Sequence, residues 1–149
     1  MLSFLYLIRN ILLRFFRYKT IGVSALVIKG TEVLIVEHTY KKGWYFPGGG
    51  VERDESTILA IRRELFEEVG VELRSEPKLF SVYLNKVDGR DDYVVFYICD
   101  DFIEHSHKCS FEIKEKRWCD IAKLPSGMSP SNKRRIEEYI DKSKISDRW

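Results

Sequence analysis

Glu64, Glu67 and Glu68 stand at i, i+3 and i+4 of a segment with helical period. At roughly 100° per residue, the three carboxylates share about a third of a helix circumference. Like charges at this spacing destabilise a helix by a few tenths of a kcal/mol, roughly, and partial burial amplifies the repulsion. A hard divalent cation would remove it, because Mg²⁺ takes carboxylate oxygens, retained waters and phosphates as ligands. A solvated acidic face neutralised by Arg62 and Arg63 fits the same spacing. Shortly before the helix comes Pro47-Gly48-Gly49-Gly50. Glycines let the backbone bend and let a ligand approach closely, so a chain bent here can aim a main-chain carbonyl at the acidic arc. A plain tight turn is the alternative, although a turn rarely needs three glycines in a row.

These residues need elements to hold them. Ser56 to Val69 reads as a helix that stops at Gly70. Ile58, Ile61, Leu65 and Val69 form its apolar stripe, and Leu59 and Phe66 a second flank, as expected of a helix packed between layers. Ile21 to Ile28 and Glu32 to His38 read as a hairpin turning at Gly30-Thr31. Lys41 to Gly50 reads as a shaped loop. Leu79 to Lys86 and Tyr93 to Asp100 are strands joined around Asp88-Gly89, and Glu115 to Asp120 is a last strand centred on Trp118. Ser129 as N-cap and Pro130 at the first helical position open a closing helix to about Lys142. The order predicts an α/β fold with a mixed sheet.

From Gly49 to Val71 the chain reads GGVERDESTILAIRRELFEEVGV. It resembles the Nudix box, G-x5-E-x7-R-E-U-x-E-E-x-G-U with U bulky and aliphatic. Gly49, Glu55, Arg63, Glu64, Leu65, Glu67, Glu68, Gly70 and Val71 fill every fixed position. The resemblance runs from about Ile21 to Ile140. It implies a Nudix-type α/β/α sandwich, with Glu64, Glu67 and Glu68 as metal ligands and a backbone carbonyl from Gly49 or its neighbour Gly48. Arg63 would orient the carboxylates together with Glu55, as a metal site requires of the groups behind its ligands. The implied cofactor is Mg²⁺, with Mn²⁺ able to replace it. The implied reaction is attack of water on one phosphorus of a diphosphate. The base is either one of the helix glutamates or a glutamate ahead of Trp118. There Glu112 is preferred to Glu115.

Substrate markers of several subgroups are missing: Lys86 stands where ADP-ribose-type members carry proline, and no tyrosine occurs from Val87 to Gly89. Elimination favours a nucleoside triphosphate of the MutT type, a small-molecule nucleotide rather than a nucleic acid. Substrate contacts are assigned to Trp44, Phe46, Gly48 and Tyr83. Tyr45 and Phe80 are further rings that could stack on a base, and core packing is the alternative for all of them. Two other readings are a membrane-associated hydrolase of a lipid-type diphosphate and a Nudix-fold nucleotide sensor without catalysis.

The 149 residues fit one domain, residues 21–149, after an N-terminal segment of residues 1–20. The net charge of +2 argues for neither nucleic acid nor membrane by itself. Three cysteines without C-x-x-C spacing fit a reducing, cytoplasmic setting. The run His105, His107, Cys109 has metal-ligand residue types but no partner cluster, so it reads as a polar loop.

The segment MLSFLYLIRNILLRFFRYKT is read as an amphipathic helix. Phe4, Ile8, Ile11, Leu12 and Phe15 share one face, and Arg9, Arg14 and Arg17 lie opposite. It reads as a peripheral anchor at the inner face of the membrane, as a homodimer contact, or as a cover for its own domain. An anchor should float with acidic liposomes at low salt and lose this when Arg9, Arg14 and Arg17 become Glu. A covering helix should not be recruited, and its deletion should cause aggregation.

Overall fold

The computed structural model describes residues 19–87, 89–106 and 110–149. The proposed N-terminal helix, together with His107 and Cys109, lies outside the described residues. In chain order the elements are β1 (Thr20–Lys29), β2 (Glu32–His38), β3 (Trp44–Tyr45), β4 (Gly48–Gly50), α1 (Thr57–Val69), β5 (Val71–Leu73), β6 (Lys78–Val87), β7 (Arg90–Cys99), β8 (Phe102–Glu104), β9 (Ile113–Asp120) and α2 (Pro130–Ile140). A 3₁₀ turn over Lys142–Lys144 follows.

β1 is the axis of a mixed sheet. One edge pairs in parallel with β7, from Thr20 opposite Asp92 to Val27 opposite Cys99. The other edge is divided: Gly22 to Ser24 pair with β4, and Ile28 and Lys29 turn back into β2. β2 then diverges to hold β3 and β9, while β6 pairs with the far side of β7. Because β1 is covered on both faces, Val23 to Ile28 are buried without a break. Val23, Ala25 and Val27 meet Ala60, Ile61, Leu65 and Val69 of α1. Leu26 and Ile28 face the opposite core, with Phe46, Phe96 and Ile136 of α2. The layers are therefore α1, sheet, α2.

β1 starts at Thr20, one residue before the expected boundary, where the Thr20 hydroxyl donates to Asp92 at 2.6 Å. The Lys41–Gly50 stretch is not wholly loop, since it contains β3 and β4. Ala25 donates to the Pro47 carbonyl at 3.1 Å and the three glycines continue that ladder, a pairing no periodicity of side chains could signal. β5 and β8 form a small separate sheet of three-residue strands, too short for a period to register. α2 begins at Pro130 as expected, but the Ser129 hydroxyl meets Ser131 and caps no backbone amide. The helix ends at Ile140, where Asp141 turns the chain into the 3₁₀ segment.

Tyr83 is a correction to the expected substrate contacts: it is 0% exposed. Its hydroxyl donates to Glu138 at 2.7 Å, and Arg135 lies over its ring at 3.9 Å. A tyrosine on the inner face of β6, opposite an acid on α2, satisfies its hydroxyl inside the core. Arg135, 0% exposed, donates to the other Glu138 oxygen at 2.8 Å. Removing one partner of such a pair strands a charge in the core. Glu138→Ala should lower the unfolding free energy by about 3–5 kcal/mol in a urea titration. A loss below about 1 kcal/mol would show that the network does not hold this layer.

Candidate active site

The strand pairing that holds β4 also sets its distance from α1. Phe46 donates its N–H to the side-chain oxygen of Asn132 on α2 at 2.6 Å, and the next residues enter the ladder with β1. Gly48 has φ 152. A Cβ there would overlap the Val23 carbonyl oxygen and stand 2.7 Å from Ser24 Cα. At Gly49 a Cβ would fall on the Glu64 carboxylate, 2.5 Å from Cδ. Missing side chains thus let α1 lay its glutamates directly on the glycine strand.

α1 is started by Ser56, whose hydroxyl accepts from the Leu59 N–H at 3.2 Å. Its helical pitch brings Arg63, Glu64, Glu67 and Glu68 to one cleft of ≈ 270 Å³, and the loop residues Ser110, Phe111 and Glu112 form the rest of its wall. Glu115 lies on β9 opposite Glu37 and accepts from Arg117, away from the cleft. Arg63 fastens the arrangement. It donates to both Glu55 oxygens at 2.8 and 2.9 Å, to the Gly50 carbonyl at 3.0 Å and to Glu64 at 2.7 Å. The guanidinium holds the Glu55 carboxyl down to about 2, so Glu55 is the committed counter-ion of Arg63.

The remaining acids are less well compensated. Glu68 is 5% exposed and accepts from the Gly48 N–H at 3.0 Å. Burial pushes its carboxyl up to about 8; the charges of Glu64, Glu112 and Glu67 push the same way, against the Gly48 N–H. Glu64 is raised chiefly by burial, with Arg63 opposing. The Glu67 side chain is 57% exposed and reaches Arg63 at 3.5 Å. Among the described residues no three such side chains close around a single point. Mg²⁺ does not require that, since it binds through one or two carboxylates and keeps waters and substrate phosphates. All-oxygen donors, carboxylates under mutual repulsion and a backbone free of side chains at Gly49 fit such an ion.

A larger cavity of ≈ 530 Å³ lies against the same glycines, on the α2 face of the sheet. Gly48, Gly49 and Phe46 line it, as do Tyr40, Lys41, Asp92 and Trp149. Of the expected substrate contacts, Gly48 and Phe46 are on its wall, Phe46 as a floor residue only 4% exposed. Trp44 is not: it sits on β3 with Arg117 stacked at 4.4 Å. The Tyr45 hydroxyl donates to the Lys42 carbonyl, and Phe80 packs on Phe96 and Tyr139. Tyr40, Lys41, Asp92 and Trp149 carry no motif in the sequence. Only the pairing of β1 with β7 and β4, and the return of the chain after α2, bring them together.

The fold and the cleft define an α/β/α sandwich with a glutamate-lined cleft beside a larger cavity. The description NUDIX domain matches residues 18–139. The chain belongs to the Nudix hydrolase family. Nudix hydrolase 4 of Arabidopsis thaliana is 32% identical over 109 residues, covering 71% of this chain and 52% of that protein. A probable DHNTP pyrophosphohydrolase of Lactococcus lactis subsp. cremoris is 38% identical over 108 residues, covering 70% and 60%. The chain thus spans little more than half the length of these relatives. The crystal structure of a MutT NUDIX hydrolase from Burkholderia pseudomallei superposes with a TM-score of 0.72 at 20% identity, over 80% of this chain and 97% of that one. At that identity the likeness speaks for the fold.

The two glycines should separate on substitution. Gly48→Ala forces a Cβ into backbone and should destabilise the protein by about 1–3 kcal/mol or more. Gly49→Ala meets only a flexible carboxylate, so the melting temperature should change little while turnover collapses as Glu64 is displaced. A fully active Gly49→Ala enzyme would contradict this account.

Proposed function

We propose that the protein hydrolyses a pyrophosphate bond in a nucleoside diphosphate linked to another group, with a nucleoside triphosphate as the favoured class and Mg²⁺ or Mn²⁺ as cofactor. One observation carries the reading: Glu64, Glu67, Glu68 and Glu112 share a cleft that backs, through Gly48 and Gly49, onto a cavity of ≈ 530 Å³. That volume is within the roughly 300–1,000 Å³ of ligand sites. The Nudix family hydrolyses nucleoside diphosphates linked to other moieties and generally uses a divalent metal such as Mg²⁺. The relative named a probable DHNTP pyrophosphohydrolase supports a pyrophosphate bond as the target.

One or two of Glu64, Glu67 and Glu68 would hold the ion directly, with the Gly49 carbonyl beside them. When bound, the ion neutralises phosphate oxygens and lowers the pKa of water. Arg63 holds Glu64 against the glycine strand, and Glu55 in turn fixes Arg63 through two hydrogen bonds. Glu112, from the loop wall of the cleft, takes the proton of the attacking water. Lys41 and Tyr40 line the larger cavity, with the Lys41 ammonium 4.0 Å from the centre of the Tyr45 ring. The membrane question stays with the segment before β1: among the described residues no helix is long and apolar enough to cross a membrane.

Chelation should abolish phosphate release from a nucleoside triphosphate, and Mg²⁺ or Mn²⁺ should restore it. Glu67→Gln should cut turnover by orders of magnitude without lowering the melting temperature, because it removes one of several repelling carboxylates. Glu112→Gln should lower kcat by about a hundredfold or more with KM little changed. Full activity after exhaustive chelation would sink the mechanism. An unchanged rate in Glu112→Gln would hand the base to the helix glutamates.

A further inference from the structure

Arg135, Glu138 and Tyr83 make a buried polar network in a part of the fold that the hydrolytic chemistry does not use. Its remaining bonds lead in one direction. The Glu138 oxygen that accepts from Arg135 also accepts from the Ser146 N–H at 3.1 Å, and Arg135 donates to the Arg148 carbonyl at 3.0 Å. The segment so held returns along β6, where Leu84 donates to the Asp147 carbonyl at 2.8 Å and accepts from the Trp149 N–H at 3.1 Å. Arg134 donates to the Trp149 carbonyl at 2.7 Å. Buried ion pairs seldom stabilise a fold more than apolar packing would, and their best-attested use is to specify one arrangement. Here the arrangement specified is the position of one indole.

That indole stands edge-on to Tyr83 and Phe96 at centroid distances of 5.6 and 5.7 Å, and it lines the ≈ 530 Å³ cavity. The cavity has two unlike ends. Gly48 and Gly49 touch the glutamate cleft; Val94, Asp92 and Trp149 belong to the α2 side of β7 and the segment past α2. A phosphate chain directed at the glutamates leaves the other end for the group it carries. Half-buried indole, apolar floor and an acceptor carboxylate suit a flat heterocycle with N–H donors at its edge, better than they suit a branched alkyl chain.

We propose that Trp149 is the stacking wall of a nucleobase subsite, held in place by the Arg135–Glu138–Tyr83 network. This rests on the hydrolase reading for the direction of the substrate, and it selects a nucleotide over a lipid-type diphosphate. Asp92, whose Oδ1 accepts from Thr20, turns the carboxylate edge of the subsite toward ring or exocyclic N–H groups.

The test uses the full chain with Trp149→Leu, which fills volume without a π face, and Trp149→Phe, which keeps a ring. Steady-state kinetics are taken with GTP, ATP and inorganic tripolyphosphate, which has no base. Calorimetric titration with the non-hydrolysable α,β-methylene analogue of GTP reads binding alone. Base–aromatic stacking predicts that Trp149→Leu raises KM for both nucleotides roughly tenfold to a hundredfold. The kcat should shift by less than about threefold, tripolyphosphate kinetics should not move, and Trp149→Phe should recover most of the loss. An unchanged nucleotide KM overturns the proposal, as does an equal loss with tripolyphosphate, which marks a merely structural role. If the protein hydrolyses no nucleotide, the hydrolase reading fails and the titration decides this one separately. Analogue binding that Trp149→Leu abolishes supports the subsite, and absence of binding to the wild-type chain overturns it.

Discussion

The contact on which the rest of the site depends is the approach of α1 to the glycine strand. Gly48 and Gly49 are sandwiched between β1 and the carboxylates of Glu64 and Glu68, where a Cβ would meet backbone at Gly48 and would displace the Glu64 carboxylate at Gly49. This contact does two things. It lets the β1–β4 ladder run directly under a helix, so that a three-residue strand is held from both sides. It also sets main-chain groups and side-chain carboxylates at one depth, which a loop with ordinary side chains would have kept apart by the width of a side chain.

Electrostatics then separates the acids into roles. Glu55 and Arg63 form a closed pair that also ties Gly50 to the helix, so they behave as scaffold. Glu64 receives one arm of the same guanidinium, and Glu68 receives a backbone N–H. Neither is given enough donors to offset its burial, and both carboxyls are raised. Such incompletely satisfied acids beside an open cleft are a poor arrangement for stability and a suitable one for a divalent ion and phosphates.

The two faces of the sheet carry different burdens. The α1 face concentrates charge at the glutamate cleft. The α2 face pairs Arg135 with Glu138 in the core, and the cavity on that side is lined by Phe46, Val94 and Trp149 together with the polar Thr20, Lys41 and Asp92. Because β1 is common to both faces, and because β4 pairs with its first half, the cleft and the cavity meet at the glycines. A rigid central strand thus fixes the distance between the two places where a substrate would be held.

Local chemistry in the sequence was enough for α1, its Ser56 start, its Gly70 end and the acidic arc, because helical pitch converts spacing into a shared face. It was enough too for the β1–β2 hairpin and for β6, β7 and β9, whose apolar residues sit against the two cores. Tyr83 was not legible: an aromatic in a strand looks the same whether its ring meets a ligand or Glu138 on a helix fifty-five residues away. Order along the chain favoured Glu112 over Glu115 but did not show which of them borders the acidic arc. The pairing of β9 with β2 turns Glu115 to the strand edge and leaves Glu112 on the cleft. Trp149, Asp92 and Tyr40 share a cavity only because β1, β7 and the segment past α2 converge there. Periodicity is a short-range property of one element, whereas a site is made where distant elements meet, and that meeting is decided by burial and backbone pairing across the whole sheet.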